Sequence, residues 1–195
     1  MNFLRIVSFI ALSCSMLHAG SFKHVVIDPG HGGKDKGAYW GGVKESDINL
    51  KVAKKLANIL RANDLEVTLT RDSDQFVSLS RRAELSNRYR DTIFISIHFN
   101  ASTHTYVHGV ETFYASSKGK QLANAIHSSM LERLNAKNRR IRLGDRYAVL
   151  TKTNCTAVLV ECGYISNWAE RQNCKRSWYH SLTASAIADG ILHYR

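Results

Sequence analysis

The sequence predicts a single-domain α/β fold, with a mixed, mostly parallel sheet flanked by helices on both faces. Short β-branched or wholly apolar runs alternate with longer stretches whose apolar residues recur every three or four positions. The 195 residues are enough for one substantial core and too few for two comfortable ones. No internal repeat, low-complexity tract or Pro/Ser-rich linker divides the chain, which has a single proline.

Residues 1–19 have the form of an export signal. Arg5 is a basic start, Ile6 to Leu17 is an apolar run too short for a permanent membrane span, and Leu17-His18-Ala19 is a small-residue cleavage site. A retained N-terminal helix and lipid attachment at Cys14 are the alternatives, although Ala11-Leu12-Ser13 fits a lipid-attachment motif poorly. Residues 20–195 form the expected domain. Lys23–Ile27 is a buried strand, and Ser46–Ala62 is an amphipathic helix with Ser46 as its cap and Ile48, Val52, Leu56 and Leu60 on one face. Leu65–Thr70 alternates as a strand, Leu79–Arg90 is a charged helix, and Thr92–Ile97 is a strand ending at His98. Gly109–Ala115 has no helix before it and is the candidate for an antiparallel strand. Gly119–Asn135 is a helix, Ala157–Val160 a wholly apolar strand ending at Glu161, and Ser181–Tyr194 the closing helix.

Hydrophobic content of 44% and charged content of 22% exclude a disordered chain. The formal net charge of +11 suits solubility, or attraction to nucleic acid, anionic lipid or a carboxylate-bearing wall polymer. Lys137, Arg139, Arg140, Arg142 and Arg146 form a basic cluster, read either as a solvated connection or as a landing strip for an anionic substrate. It lacks the interleaved aromatic platform expected of a nucleic-acid binder, so no nucleic-acid partner is expected. After signal removal Cys155, Cys162 and Cys174 remain. Cys155 and Cys162 flank a strand and would lie roughly 20 Å apart, beyond disulfide reach. A bridge to Cys174 is open, and no CxxC pair offers a thiolate metal site.

The functional signal lies at strand ends. Gly30, Gly32 and Gly33 let the chain fold tightly around His31, and Glu45 precedes a helix start close in sequence. His31, His98 and Glu161 each follow a strand, and ligands of open α/β sheets gather at the strands' carboxyl ends. Neighbouring strands are only about 4.8 Å apart there, so the side chains can converge. Two imidazoles and one carboxylate holding Zn²⁺ leave the fourth position for water, the arrangement of a hydrolytic site. A second carboxylate is then free to move protons. Spacing alone leaves open which of Glu45 and Glu161 takes which role. His104 and His108 are a rival pair in a loop without a nearby acid, and are read as surface residues.

VVIDPGHGG, KESDINL, LTRDSDQFVSLSRR, FISIHFNAS, GVETFY and AVLVECGYISN, in this order, resemble the zinc-dependent N-acetylmuramoyl-L-alanine amidases (the Amidase_3 catalytic domain). The resemblance runs from about Val25 to the C-terminus. It implies zinc held by His31, Glu45 and His98, with Glu161 as the catalytic acid–base, and a mixed sheet flanked by helices. It also implies peptidoglycan or muropeptides as substrate, cut between N-acetylmuramic acid and L-alanine, and a periplasmic or cell-envelope location.

Lys36 and Thr156 stand where the family often has proline, and Cys162 where it is usually apolar. The inserted helix that blocks the zinc in some relatives has no room between His98 and Gly109. No wall-targeting repeat occurs in these residues, so targeting is expected to use the catalytic surface, and an activating partner is not identified. The alternatives are a zinc peptidase acting within the stem peptide and a non-catalytic wall-binding protein.

Overall fold

The computed structural model describes residues 21–195; residues 1–19, expected from the sequence to be an export signal, lie outside them. A six-stranded sheet runs β4 (Glu66–Leu69), β1 (His24–Pro29), β5 (Thr92–Asn100), β8 (Thr156–Tyr164), β6 (Val110–Tyr114), β7 (Asn138–Leu143). The first four strands are mutually parallel. β6 runs antiparallel to β8, as its missing preceding helix suggests, and β7 is parallel to β6. A two-stranded hairpin, β2 (Tyr39–Trp40) with β3 (Val43–Lys44), stands apart.

Helices α1 (Glu45–Arg61), α3 (Ser117–Leu134) and α6 (Ser177–Tyr194) cover one face. Their apolar residues join Val25, Ile27, Ile95 and Val158 in the larger core. The shorter helices α2 (Leu79–Ser86) and α4 (Ala148–Thr151) lie over the other face. There Val26, Phe94, Phe113 and Leu159 make a second, smaller core with Val149 and Leu150. A seven-residue helix, α5 (Trp168–Cys174), links β8 to α6. Among the described residues no helix is long and apolar enough to cross a membrane, and Cys155, Cys162 and Cys174 are free thiols, so Cys174 forms no bridge.

Several expected boundaries move for physical reasons. α1 begins at Glu45 rather than being capped by Ser46. Its first N–H groups are satisfied by carbonyls of the preceding loop, Glu45 N–H to Ala38 O at 2.9 Å and Ser46 N–H to Lys36 O at 3.2 Å, so no capping side chain is needed. α2 stops at Ser86, four residues before the expected Arg90. β5 and β8 run past His98 and Glu161 to Asn100 and Tyr164, with a register shift between His98 and Asn100. The expected basic connection is in part edge strand β7, whose charged residues (NRRIRL) discourage pairing with another chain.

Three buried histidines stand apart from the strand-end site. His24 sits between Thr92 Oγ1 (3.1 Å) and Thr68 Oγ1 (3.0 Å), and His127 between Thr112 Oγ1 (3.1 Å) and Asn138 Oδ1 (3.0 Å). His180 donates to Cys174 O at 2.6 Å. Burial pushes all three below the ordinary histidine value. Below about pH 6.5 the unfolded chain therefore takes up protons that the folded chain refuses, and stability falls as pH drops through that value. The melting midpoint should drop between about pH 7.5 and about 5.5, and His127→Gln should flatten that slope. Comparing variant with wild type cancels the pH dependence of the strand-end site; identical slopes would show that His127 titrates freely.

Candidate metal centre and active site

β1 ends in the Asp-Pro-Gly-His-Gly-Gly turn, and His31 itself takes the left-handed conformation, with φ 61°. Gly30 serves a different need, because a Cβ there would overlap the His98 imidazole. Gly37, at φ 63°, lies equally tight against His31 and Glu45 Oε2. The imidazoles of His31 and His98 thus come edge to face, with ring centroids 4.9 Å apart.

Two buried arginines hold the turn through its carbonyls. Arg71 donates from Nε to Pro29 O at 2.9 Å and from Nη2 to Gly30 O and Ser46 O, both at 2.8 Å. Arg82 donates to Asp28 Oδ1 (2.6 Å), Pro29 O (2.7 Å) and His31 O (2.7 Å). Asp28 also accepts from Ser96 Oγ at 2.7 Å, which ties the clamp to β5. Composition gives no reason to seek structural cations in a basic chain. The available signal is their place inside LTRDSDQFVSLSRR, a segment with no histidine or cysteine to mark it as part of a metal site.

Glu45 enters from the first turn of α1, where a carboxylate is favoured by the helix dipole. Its Oε1 lies 3.2 Å from His31 Nε2 and 2.8 Å from His98 Nδ1, and accepts from Phe99 N–H at 3.2 Å. Its Oε2 accepts from Ala38 N–H at 2.9 Å. Burial opposes ionisation of Glu45, but the hydrogen bonds and charges of the two histidines hold it well below the usual carboxylate range. His31 is likewise opposed by burial, yet Glu45 and Asp35 raise it.

The donor set itself fits a cation. Asp35 Oδ2 accepts from His31 Nδ1 at 2.8 Å, so Nε2 is the nitrogen that faces the Glu45 oxygen, with a proton or, in its place, a metal ion between them. Two lone pairs face each other favourably only with a positive charge between them. The ligand atoms of His31, Glu45 and His98 lie within 4.8 Å of one another. They offer the three N/O ligands of an open zinc site, with Asp35 orienting one histidine from behind.

Glu161 is the direct register neighbour of His98 on the adjacent parallel strand, and both line one cavity of about 530 Å³ with His31 and Glu45. The side chain is buried, and its Oε2 has no hydrogen-bond partner. Burial first, then the Glu45 and Glu111 carboxylates, push its pKa up. All four candidate side chains therefore meet at one place, while His104 and His108 stay in an exposed loop.

Residues 25–193 match the sequence pattern of Amidase_3, described as N-acetylmuramoyl-L-alanine amidase. This chain belongs to the N-acetylmuramoyl-L-alanine amidase family. It is 32% identical over 174 residues to the amidase LytC of Bacillus subtilis (strain 168), covering 87% of this chain but only 35% of LytC. The fold superposes on the catalytic domain of CwlV, an N-acetylmuramoyl-L-alanine amidase of Bacillus (Paenibacillus) polymyxa var. colistinus. The TM-score is 0.85 at 38% identity, covering 89% of this chain and 98% of that domain. The amidase AmiC2 of Nostoc punctiforme gives 0.85 at 40% identity, covering 90% and 97%. The chain therefore spans nearly all of the CwlV catalytic domain but only about a third of the length of LytC.

The amidase-family turn depends on the Arg82–Asp28 pair, so breaking it leaves a buried, uncompensated charge. Arg82→Ala should destabilise the protein by about 3–5 kcal/mol in denaturant unfolding. Gly30→Ala should weaken divalent-metal binding at unchanged secondary structure, read by competition with a chromophoric chelator. Wild-type affinity in Gly30→Ala would show that the imidazole can move aside.

Proposed function

We propose that this chain is a zinc-dependent amidase of the cell envelope that hydrolyses the amide bond between N-acetylmuramic acid and L-alanine of peptidoglycan. The observation that carries the reading is the buried, unpartnered Glu161 oxygen beside the convergent His31, Glu45 and His98. Family membership supplies the substrate class.

His31, Glu45 and His98 would hold the zinc. When bound, the ion would polarise the scissile carbonyl and acidify water near neutral pH. Glu45 suits a ligand because its environment keeps it ionised. Glu161 suits a proton carrier because burial raises its proton affinity. Its carboxylate takes a proton from the attacking water and delivers it to the departing alanine nitrogen, so the amine leaves neutral. Asp35 fixes the tautomer of His31, and the Arg71/Arg82 clamp keeps the turn in place while charge changes around it.

The segment 1–19 would direct export to the periplasm or envelope, where the wall polymer lies. N-terminal sequencing of the processed protein tests this, with Gly20 expected as the new first residue. One structural neighbour is the CwlD amidase from Clostridioides difficile in complex with the GerS lipoprotein. A lipoprotein is accordingly the class of protein partner to test here.

Glu161→Gln should retain zinc and lose about 10²- to 10⁴-fold in turnover, whereas His31→Ala should lose both metal and turnover. Mass analysis of digested sacculi should find intact stem peptides beginning with L-alanine, and none after chelation. Shortened stems would instead identify a peptidase, and substantial turnover by Glu161→Gln would remove it from the proton-carrying role.

A further inference from the structure

The basic cluster of residues 137–146 divides by what its members touch. Arg142 pairs with Glu111, and Arg139 donates to Tyr164 Oη at 3.0 Å and lies over that ring at 5.1 Å. Lys137, just before the edge strand, and Arg140 on it are exposed, and neither lines the cavity. Arg146 alone of the five lines the cavity that holds His31, Glu45, His98 and Glu161.

Arg146 sits on an anchored turn. Gly144 N–H donates to Tyr114 O at 2.8 Å, Tyr147 N–H donates to Gly144 O at 3.0 Å, and the Tyr147 ring packs 4.8 Å from Phe113. The guanidinium lies over the Tyr147 ring at 5.3 Å. Among the described residues no carboxylate lies within 4.0 Å of it, since Glu111 is taken by Arg142. The other arginine lining the cavity, Arg82, is buried and bound to Asp28 and His31. Arg146 is therefore the cleft arginine that holds no carboxylate, its hydrogen bond among the described residues being a long one from Nη2 to Tyr147 Oη at 3.5 Å.

Its side of the cleft is also informative. Tyr147, Val149 and Leu159 pack together in the smaller core, and Leu159 and Glu161 project from the same face of β8.

 The group that hands a proton to the departing alanine nitrogen must stand on the peptide side of the scissile bond. Arg146, stacked on Tyr147, shares that wall with Glu161, which under the amidase reading is the side of the peptide half.

We infer that Arg146 is a specificity-determining residue that takes a carboxylate of the stem peptide. This rests on the amidase reading above. The glycan half offers hydroxyls and N-acetyl groups, whereas the peptide half carries free carboxylates, at its γ-linked glutamate and at its C-terminus. A planar guanidinium held over an aromatic ring can meet a carboxylate with two parallel hydrogen bonds, which a neutral amide cannot match. The inference also accounts for one member of a basic cluster that neither packing nor metal binding explains.

The test uses zinc-loaded enzyme and synthetic muramoyl peptides in acid and amide pairs, one pair differing at the second residue and one at the C-terminus. Wild type should prefer the acid of one pair by roughly 5- to 10-fold in kcat/KM at low ionic strength, mostly through KM, and less at high salt. Arg146→Gln should erase that preference while cleaving the amide substrate as wild type does, and Arg146→Lys should keep part of it. The pair that loses its preference identifies which carboxylate is held. An equal loss on acid and amide, or no change, overturns the inference. If wild type releases no intact stems, the amidase reading fails separately. Calorimetric binding of the same acid and amide stem peptides then decides, and unchanged binding by Arg146→Gln rejects the contact.

Discussion

The structure depends on two arginines buried under a glycine-rich turn. Pro29, Gly30 and His31 turn their carbonyls inwards, where they would be costly without donors. Arg71 and Arg82 supply those donors, and Asp28 balances one of the two charges. Burial, and then the charge of Arg82, lower the pKa of Arg71, which has only carbonyls for its contacts among the hydrogen bonds described. The clamp also reaches Ser46 O at the start of α1, so it positions His31 and Glu45 together. A left-handed histidine persists at a strand end because its surroundings leave the backbone no other course.

The same constraint explains why two carboxylates in one cavity behave differently. Both Glu45 oxygens accept from backbone N–H groups, and one also faces two imidazoles. Glu161 sits beside them with one oxygen lacking any donor. Environment therefore drives their proton affinities in opposite directions, the condition under which one acid stays ionised as a ligand while the other trades protons. Sequence spacing treats the two as interchangeable; the pattern of nearby donors does not.

His31, His98 and Glu161 were legible because a parallel sheet brings the carboxyl-terminal ends of its strands to one edge, and apolar runs mark those strands plainly, although β5 and β8 continue past His98 and Glu161. Glu45 was legible as a carboxylate near a helix start, though the helix starts on it. Arg71 and Arg82 were not, because a charged residue reads as solvent-facing unless its partners are known, and those partners are backbone carbonyls distant in sequence. β7 was hidden for a related reason. NRRIRL lacks the apolar alternation of a half-buried strand because it is an outer edge, with little to bury. The hairpin Tyr39–Lys44 and α5 were too short for any periodicity to register.

The excess positive charge follows from these placements rather than from a uniform basic face. Some cations are internal braces, as Arg71 and Arg82 are. Others guard an open sheet edge, where Arg139 and Arg142 also close against Tyr164 and Glu111. The cavity itself is lined by acids, Glu45, Glu161, Asp28 and Asp35 among them. Arg82 offsets Asp28, and the remaining carboxylates suit a divalent ion but give an anionic peptide nothing to hold. Because Coulomb attraction between exposed groups fades within about 10 Å in ordinary salt, a distant basic surface cannot supply that hold. The charge that does has to stand at the mouth of the cleft, on a turn held still by its neighbours, which is where the chain places Arg146.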